Sequence, residues 1–142
     1  MSDASPIGVL VMAYGTADGP DDIERYYTDI RGGRAPSPEH LQELKDRYEA
    51  IGNVFPLLDT TRDQAEGLVE RLNTDPGAAT FRAYLGMKHS PPFISDGVEA
   101  MRADGIQRGI GIVMAPHWSS SIAPCLSENV YIFSVSAGFT GP

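Results

Sequence analysis

The sequence predicts an α/β domain, a mostly parallel sheet flanked by helices, and three observations predict it. Residues 7–14 (IGVLVMAY) form a continuous apolar run without polar alternation, the signature of a strand buried on both faces. Residues 80–86 (TFRAYLG) and 106–115 (IQRGIGIVMA) are two more strand-like runs. Amphipathic segments separate the three, and strand, helices, strand, helix, strand implies right-handed crossovers onto one sheet.

Each element follows from its own residues. Gly15 closes the first strand, and Pro20 suits a first helical turn, with Asp21, Asp22 and Glu24 near the positive end of the helix dipole. That helix ends at Arg31-Gly32-Gly33. Ser37-Pro38-Glu39 starts the second, a capping serine with proline at the first helical position. Leu41, Leu44, Tyr48 and Ile51 keep helical spacing until Gly52-Asn53 stops them. Thr61 to Gln64 has the form of a capping box before Ala65, Leu68, Val69 and Leu72, which places the start of a third helix there. After a loop over 73–77 comes the second strand, then the proline-bearing connection Met87-Lys88-His89-Ser90-Pro91-Pro92. Residues 93–103 are amphipathic through Ile94, Val98 and Met101, and Asp104-Gly105 ends them. The third strand terminates at Pro116-His117, and residues 130–137 (VYIFSVSA) supply a fourth. The organisation expected is one lobe over 1–121 and a divergent tail over 122–142 containing that last strand.

Composition narrows the function. The chain has 142 residues, 42% of them hydrophobic, enough for one domain with a real core. A net charge of -8 argues against nucleic acid or an anionic membrane as general partners. The apolar runs fall well short of the roughly 20 residues a membrane span needs. The single cysteine, Cys125, cannot form an internal disulfide, and the N-terminus is not signal-like, so a cytoplasmic setting is expected.

In parallel sheets ligands collect outside the carboxyl ends of the strands. Here those ends carry Tyr14, then Lys88 with His89, then His117 followed by Trp118 and Ser119. Tyr14 alone reads as readily as a core aromatic, but Gly15 beside it allows close approach by a ligand. His89 and His117 each read alone as structural or surface residues, whereas both at strand ends point to a proton or metal site. His40, the third histidine, lies on a solvated helix face. Arg31, Arg34 and Arg47 are suited to carboxylate recognition, against a simple surface pair of Glu43 with Arg47. No HExxH, phosphate loop, GxGxxG or GxSxG pattern is present, so structural zinc, nucleotide binding and triad hydrolysis all start low.

Several of these segments together resemble a known family. GVLVMAYGT, DIERYYTDIRGGRAPSPEHLQELKDRYEAIG, FRAYLGMKHSPPFI and MAPHWS resemble, in order, the N-terminal half of bacterial ferrochelatases, most closely the coproporphyrin III type of haem biosynthesis. The likeness runs from about residue 7 to 119. It implies a chelatase lobe that, with a second similar lobe, encloses a porphyrin cleft, where Fe²⁺ enters the macrocycle as two pyrrole protons leave. It implies that Tyr14 faces the metal and can be an axial ligand of the product iron. It places Ile30, Arg31, Arg47, Tyr48, Phe55 and Lys88 on the porphyrin side of the site, with His89 near the cleft as a candidate catalytic group. The substrates implied are ferrous iron and coproporphyrin III or protoporphyrin IX, with no tightly bound cofactor.

The chain departs from the family pattern in places. Phe55 stands where a substrate-holding serine is usual, and Leu126 where a pocket tyrosine is expected. The second-lobe histidine and glutamate that carry metal insertion have no counterpart, so the chain is expected to be truncated and poorly active alone. Two other readings stand beside this one. A homodimeric short chelatase of the sirohaem or cobalamin type would bring two sets of strand-end histidines together. A non-catalytic porphyrin-binding domain would keep the fold without the chemistry. An uncovered inter-lobe face would also favour self-association, with residues 130–137 the stickiest edge.

Overall fold

The computed structural model describes residues 5–76, 79–114 and 130–135. Its elements are β1 (Ile7–Ala13), a 3₁₀ turn (Pro20–Asp22), α1 (Ile23–Ile30), α2 (Pro38–Ala50), α3 (Leu57–Leu72), β2 (Phe81–Met87), α4 (Ile94–Ala103), β3 (Arg108–Val113) and β4 (Val130–Ser134). The sheet order is β2-β1-β3-β4. β1 pairs in parallel with both β2 and β3, while β4 runs antiparallel along the outer side of β3.

The central position of β1 explains its unbroken apolar run. Val9 and Val11 turn to one face and pack with Ala65 of α3, with Leu68, Val69 and Leu72 behind them. Leu10 turns to the other face and meets Met101 of α4, Tyr84 and Ile106. Full burial of a side chain such as Leu10 stabilises the fold by about 1.5–3 kcal/mol. A third cluster, Ala17, Ile23, Tyr26 and Leu44, joins α1 and α2 to the loop that leaves β1. That hairpin is thus packed beside the carboxyl end of the central strand.

Several boundaries differ from expectation, each for a local reason. α3 begins at Leu57, four residues before the predicted capping box. Pro56 starts it, and Thr61 lies buried within it, its hydroxyl donating to the Leu57 carbonyl at 2.7 Å. The Ser37 cap does form, accepting from the His40 N–H at 3.3 Å. α4 begins at Ile94, because the Phe93 N–H is held by the Asp96 carboxylate at 2.7 Å. β3 begins two residues late, since the Ile106 N–H closes the end of α4 on the Met101 carbonyl and Gly105 takes φ +71° there. β2 begins at Phe81, whose N–H and C=O are both bonded by the Asn73 side-chain amide, at 2.8 and 3.0 Å. β4 runs Val130–Ser134, and residues 136–137 of the expected strand lie outside the described residues. Among the described residues, no helix is long and apolar enough to cross a membrane.

Candidate active site

The site starts where the β1–β2 ladder outlasts its strands. Beyond the last paired residues, Ala13 and Met87, the Lys88 N–H donates to the Ala13 carbonyl and the His89 N–H to the Tyr14 carbonyl, both at 3.0 Å. Tyr14 and His89 are therefore neighbours by backbone register. Their rings meet edge to face, centroids 4.7 Å apart at 60°. The Lys88 ammonium stands 6.0 Å from the centroid of the Tyr14 ring, at the outer reach of a cation–π contact. Tyr14 is 42% exposed, unusual for a tyrosine ending a central strand.

The turn after Tyr14 is clamped from two sides. Gly15 takes φ +103°, and its carbonyl accepts a 2.8 Å hydrogen bond from the buried Tyr26 hydroxyl. Burial holds that phenol protonated by raising its pKa well above the usual value. The next N–H, of Thr16, donates to the buried Ser90 hydroxyl at 3.1 Å. α1 is tied to the same loops through charge. Arg25 grips Asp22 with two nitrogens, at 2.5 and 2.8 Å, and donates to the His89 carbonyl at 3.3 Å. The Arg25 hydrogen bond holds the Asp22 carboxyl below the ordinary carboxylate range, as does the Asp18 N–H. Asp29, in the last turn of α1, bonds His89 Nδ1 at 2.5 Å.

The remaining predicted residues lie on the α1–α2 hairpin. Ile30, Tyr48 and Phe55 pack on its buried cluster. Arg31 follows at the helix exit, where Gly32 and Gly33 take φ +66° and +89°. Arg31 is exposed and makes no ion pair among the described residues. Tyr48 stacks on Phe55, centroids 4.7 Å apart and 21° between planes. Burial, then a hydrogen bond with Tyr27, pushes its phenol up to about 12. Phe55 thus presents an apolar ring there. Arg47 is held by Glu43 on the exposed side of α2, so the surface-pair reading holds for that residue as it stands. No contact among the described residues joins Arg47 to the Tyr14–His89 group. His40 is likewise partly exposed and faces Glu43. His117, Trp118, Ser119, Cys125 and Leu126 lie outside the described residues.

A cavity of about 310 Å³ opens beside these loops, lined by Thr16, Asp22, Arg25, Phe55, Leu58 and Ser90. Tyr14 and Lys88 stand outside it, on open surface. Sequence reasoning missed Tyr26, Ser90 and Asp29. Ser90 acts on a backbone group 74 residues away and Tyr26 on one 11 residues away, outside its own helix, which no local pattern shows. Asp29 did leave a signal: an acid in the last turn of a helix opposes the dipole.

The sequence model of the family described as Ferrochelatase matches residues 6–130. The chain belongs to the ferrochelatase family. It is 55% identical over 114 residues to the coproporphyrin III ferrochelatase of Bacillus subtilis (strain 168). It is 57% identical over 114 residues to the protein of that name from Staphylococcus aureus (strain Mu50) and 54% identical to that from Staphylococcus epidermidis. Each match covers 80% of this chain, and the chain spans 37% of the length of each relative. The parallel core β2-β1-β3 with helices around it is consistent with a ferrochelatase lobe.

Proposed function

We propose that this chain carries the porphyrin-facing half of a ferrochelatase site acting on coproporphyrin III and Fe²⁺, with protoporphyrin IX the second candidate macrocycle. The observation that carries the reading is the exposed Tyr14 phenol at the carboxyl end of the central strand, fixed by the His89 ring and flanked by Lys88. In this reading Tyr14 is the axial ligand of the product iron. Arg31 and Lys88 bind the propionates, and Ile30, Tyr48 and Phe55 form the apolar wall against the ring. Arg47 joins them by exchanging Glu43 for a propionate, a cheap exchange because the pair is exposed.

Metal insertion replaces two pyrrole N–H protons by Fe²⁺, so a base must take those protons away. Among the described residues, His89 is the histidine placed at Tyr14. The family's proton-accepting histidine and its glutamate have no counterpart in this sequence, which holds no histidine after His117. In this reading the 142 residues alone bind the porphyrin and turn over poorly. Ile51, Val54 and Met114 are exposed apolar residues that favour self-association.

The test is an absorbance titration of coproporphyrin III against the wild type, Tyr14→Phe and Arg31→Ala. Arg31→Ala is expected to weaken binding roughly 10- to 150-fold, the loss of one charge-assisted contact of about 1.5–3 kcal/mol. Tyr14→Phe keeps the affinity for the free macrocycle and loses the ligand to iron coproporphyrin. Equal affinities for both molecules in all three proteins would remove the site from this surface.

A further inference from the structure

We propose that Asp29 is a positioning residue of this site, fixing the tautomer and orientation of His89 and, through that ring, the pose of Tyr14; the Tyr14 part rests on the porphyrin reading above. The contact is specific. Asp29 Oδ1 lies 2.5 Å from His89 Nδ1, joining groups 60 residues apart in sequence. A carboxylate can only accept, so Nδ1 is the nitrogen that carries hydrogen. Nε2 is left with its lone pair in the neutral ring, and it makes no hydrogen bond among the described residues.

The surroundings confirm that the ring is held. The His89 side chain is only 13% exposed, against 40% for Asp29. Its backbone is pinned at both ends, by the N–H bond to the Tyr14 carbonyl and by the Arg25 guanidinium on its own carbonyl. Two contacts then decide the ring's rotation: Asp29 on Nδ1 and the edge-to-face Tyr14 on the ring. Releasing the first lets the ring turn away from the second.

The position of Asp29 also needs a reason. It is the penultimate residue of α1, where the helix dipole disfavours a carboxylate and no basic side chain lies in the last turn to offset it. Arg25, one turn earlier, supplies part of the offset, since its charge interacts with Asp29. Arg25 itself is committed to Asp22 and to the His89 carbonyl. The acid at 29 is thus accounted for by His89 rather than by helix stability.

The test compares the wild type with Asp29→Ala and Asp29→Asn by ¹⁵N NMR of the His89 ring in mildly alkaline buffer, where an imidazole is neutral. The wild type is expected to show Nδ1–H, with Nε2 unprotonated. Asp29→Ala is expected to lose that preference, while Asp29→Asn, which keeps an acceptor oxygen, retains it. In the ferric coproporphyrin complex, Asp29→Ala should weaken the tyrosinate-ligated absorption signature on the order of tenfold, as removal of an outer-shell partner does elsewhere. An unchanged tautomer in Asp29→Ala overturns the inference, and so does a changed tautomer with an unchanged iron signature. A wild type that shows no tyrosinate signature while its tautomer responds to Asp29→Ala instead refutes the porphyrin reading, and with it the Tyr14 part of this one.

Discussion

Gly97→Ala lowers the stability of the domain by about 1–3 kcal/mol, the range for forcing atoms into a packed interface. A Cβ at this position of α4 would stand 2.4 Å from the Leu85 carbonyl oxygen and 2.6 Å from Leu10 Cδ1. The first neighbour is backbone of the adjacent strand, so no rotamer change relieves it. The helix must back away from β2, which opens the packing of Leu10 and Met101. Alanine's higher helix propensity returns up to about 1 kcal/mol, which the clash exceeds. Gly67→Ala in α3 is the matched control, because a Cβ there meets nothing within 4 Å. It should raise stability by about 0.5–1 kcal/mol through the same propensity term alone. Urea unfolding of the two variants reads the contrast, and a Gly97→Ala midpoint at or above that of the wild type would show that α4 does not approach the sheet this closely.

Gly15→Ala is expected to cost about 2–4 kcal/mol and to weaken coproporphyrin binding with it. Two independent penalties meet at this residue. Its φ of +103° is a conformation that side-chain-bearing residues rarely adopt, costing about 1–2 kcal/mol. A Cβ would also lie 2.5 Å from the Ser90 hydroxyl and 3.1 Å from the Ser90 nitrogen. Moving Ser90 aside breaks its bond with the Thr16 N–H and shifts the loop that carries Lys88 and His89. Ser90→Gly in the same chain removes the hydroxyl contact but neither the backbone one nor the unfavourable φ. The double variant should therefore recover only part of the loss. Thermal unfolding with and without coproporphyrin III measures both effects, and full recovery in the double variant would mean that φ carries no cost.

The parts of the fold governed by period and punctuation were legible in the sequence. β1 announced itself as a two-faced strand because both of its faces are covered, by α3 and by α4. The Ser37-Pro38 start of α2 and the Arg31-Gly32-Gly33 exit of α1 were legible because capping is local chemistry. The start of α3 was misread because threonine followed by glutamine three residues later fits a cap and a helix interior equally well. Only the burial of Thr61 and its bond to Leu57 separate the two. The juxtaposition of Tyr14 with Lys88-His89 followed from strand topology, whereas the bonds that fix it did not. Asp29 to His89, Tyr26 to Gly15 and Ser90 to Thr16 each bridge elements whose docking no single segment encodes.

The net charge of -8 repels a polyanionic ligand in general, yet Lys88, over the Tyr14 ring, and Arg31, at the exit of α1, are exposed and make no ion pair among the described residues. If a tetrapyrrole binds there as proposed, its carboxylates would meet these cations on an otherwise acidic protein, which would favour one orientation over many. Raising salt should weaken that attraction more than it weakens the stacking of the ring on apolar residues.

The proposed role is the porphyrin-facing half of the site, without completion of the chemistry by these residues alone. One anaerobic cuvette tests it most directly: coproporphyrin III is titrated with the protein, Fe²⁺ is added, and the absorbance spectrum is followed. The expected result is a saturable shift of the metal-free porphyrin bands, and after iron a rate of metalloporphyrin formation close to that without protein. No spectral shift at saturating protein, or robust iron insertion by the monomeric chain, would contradict it.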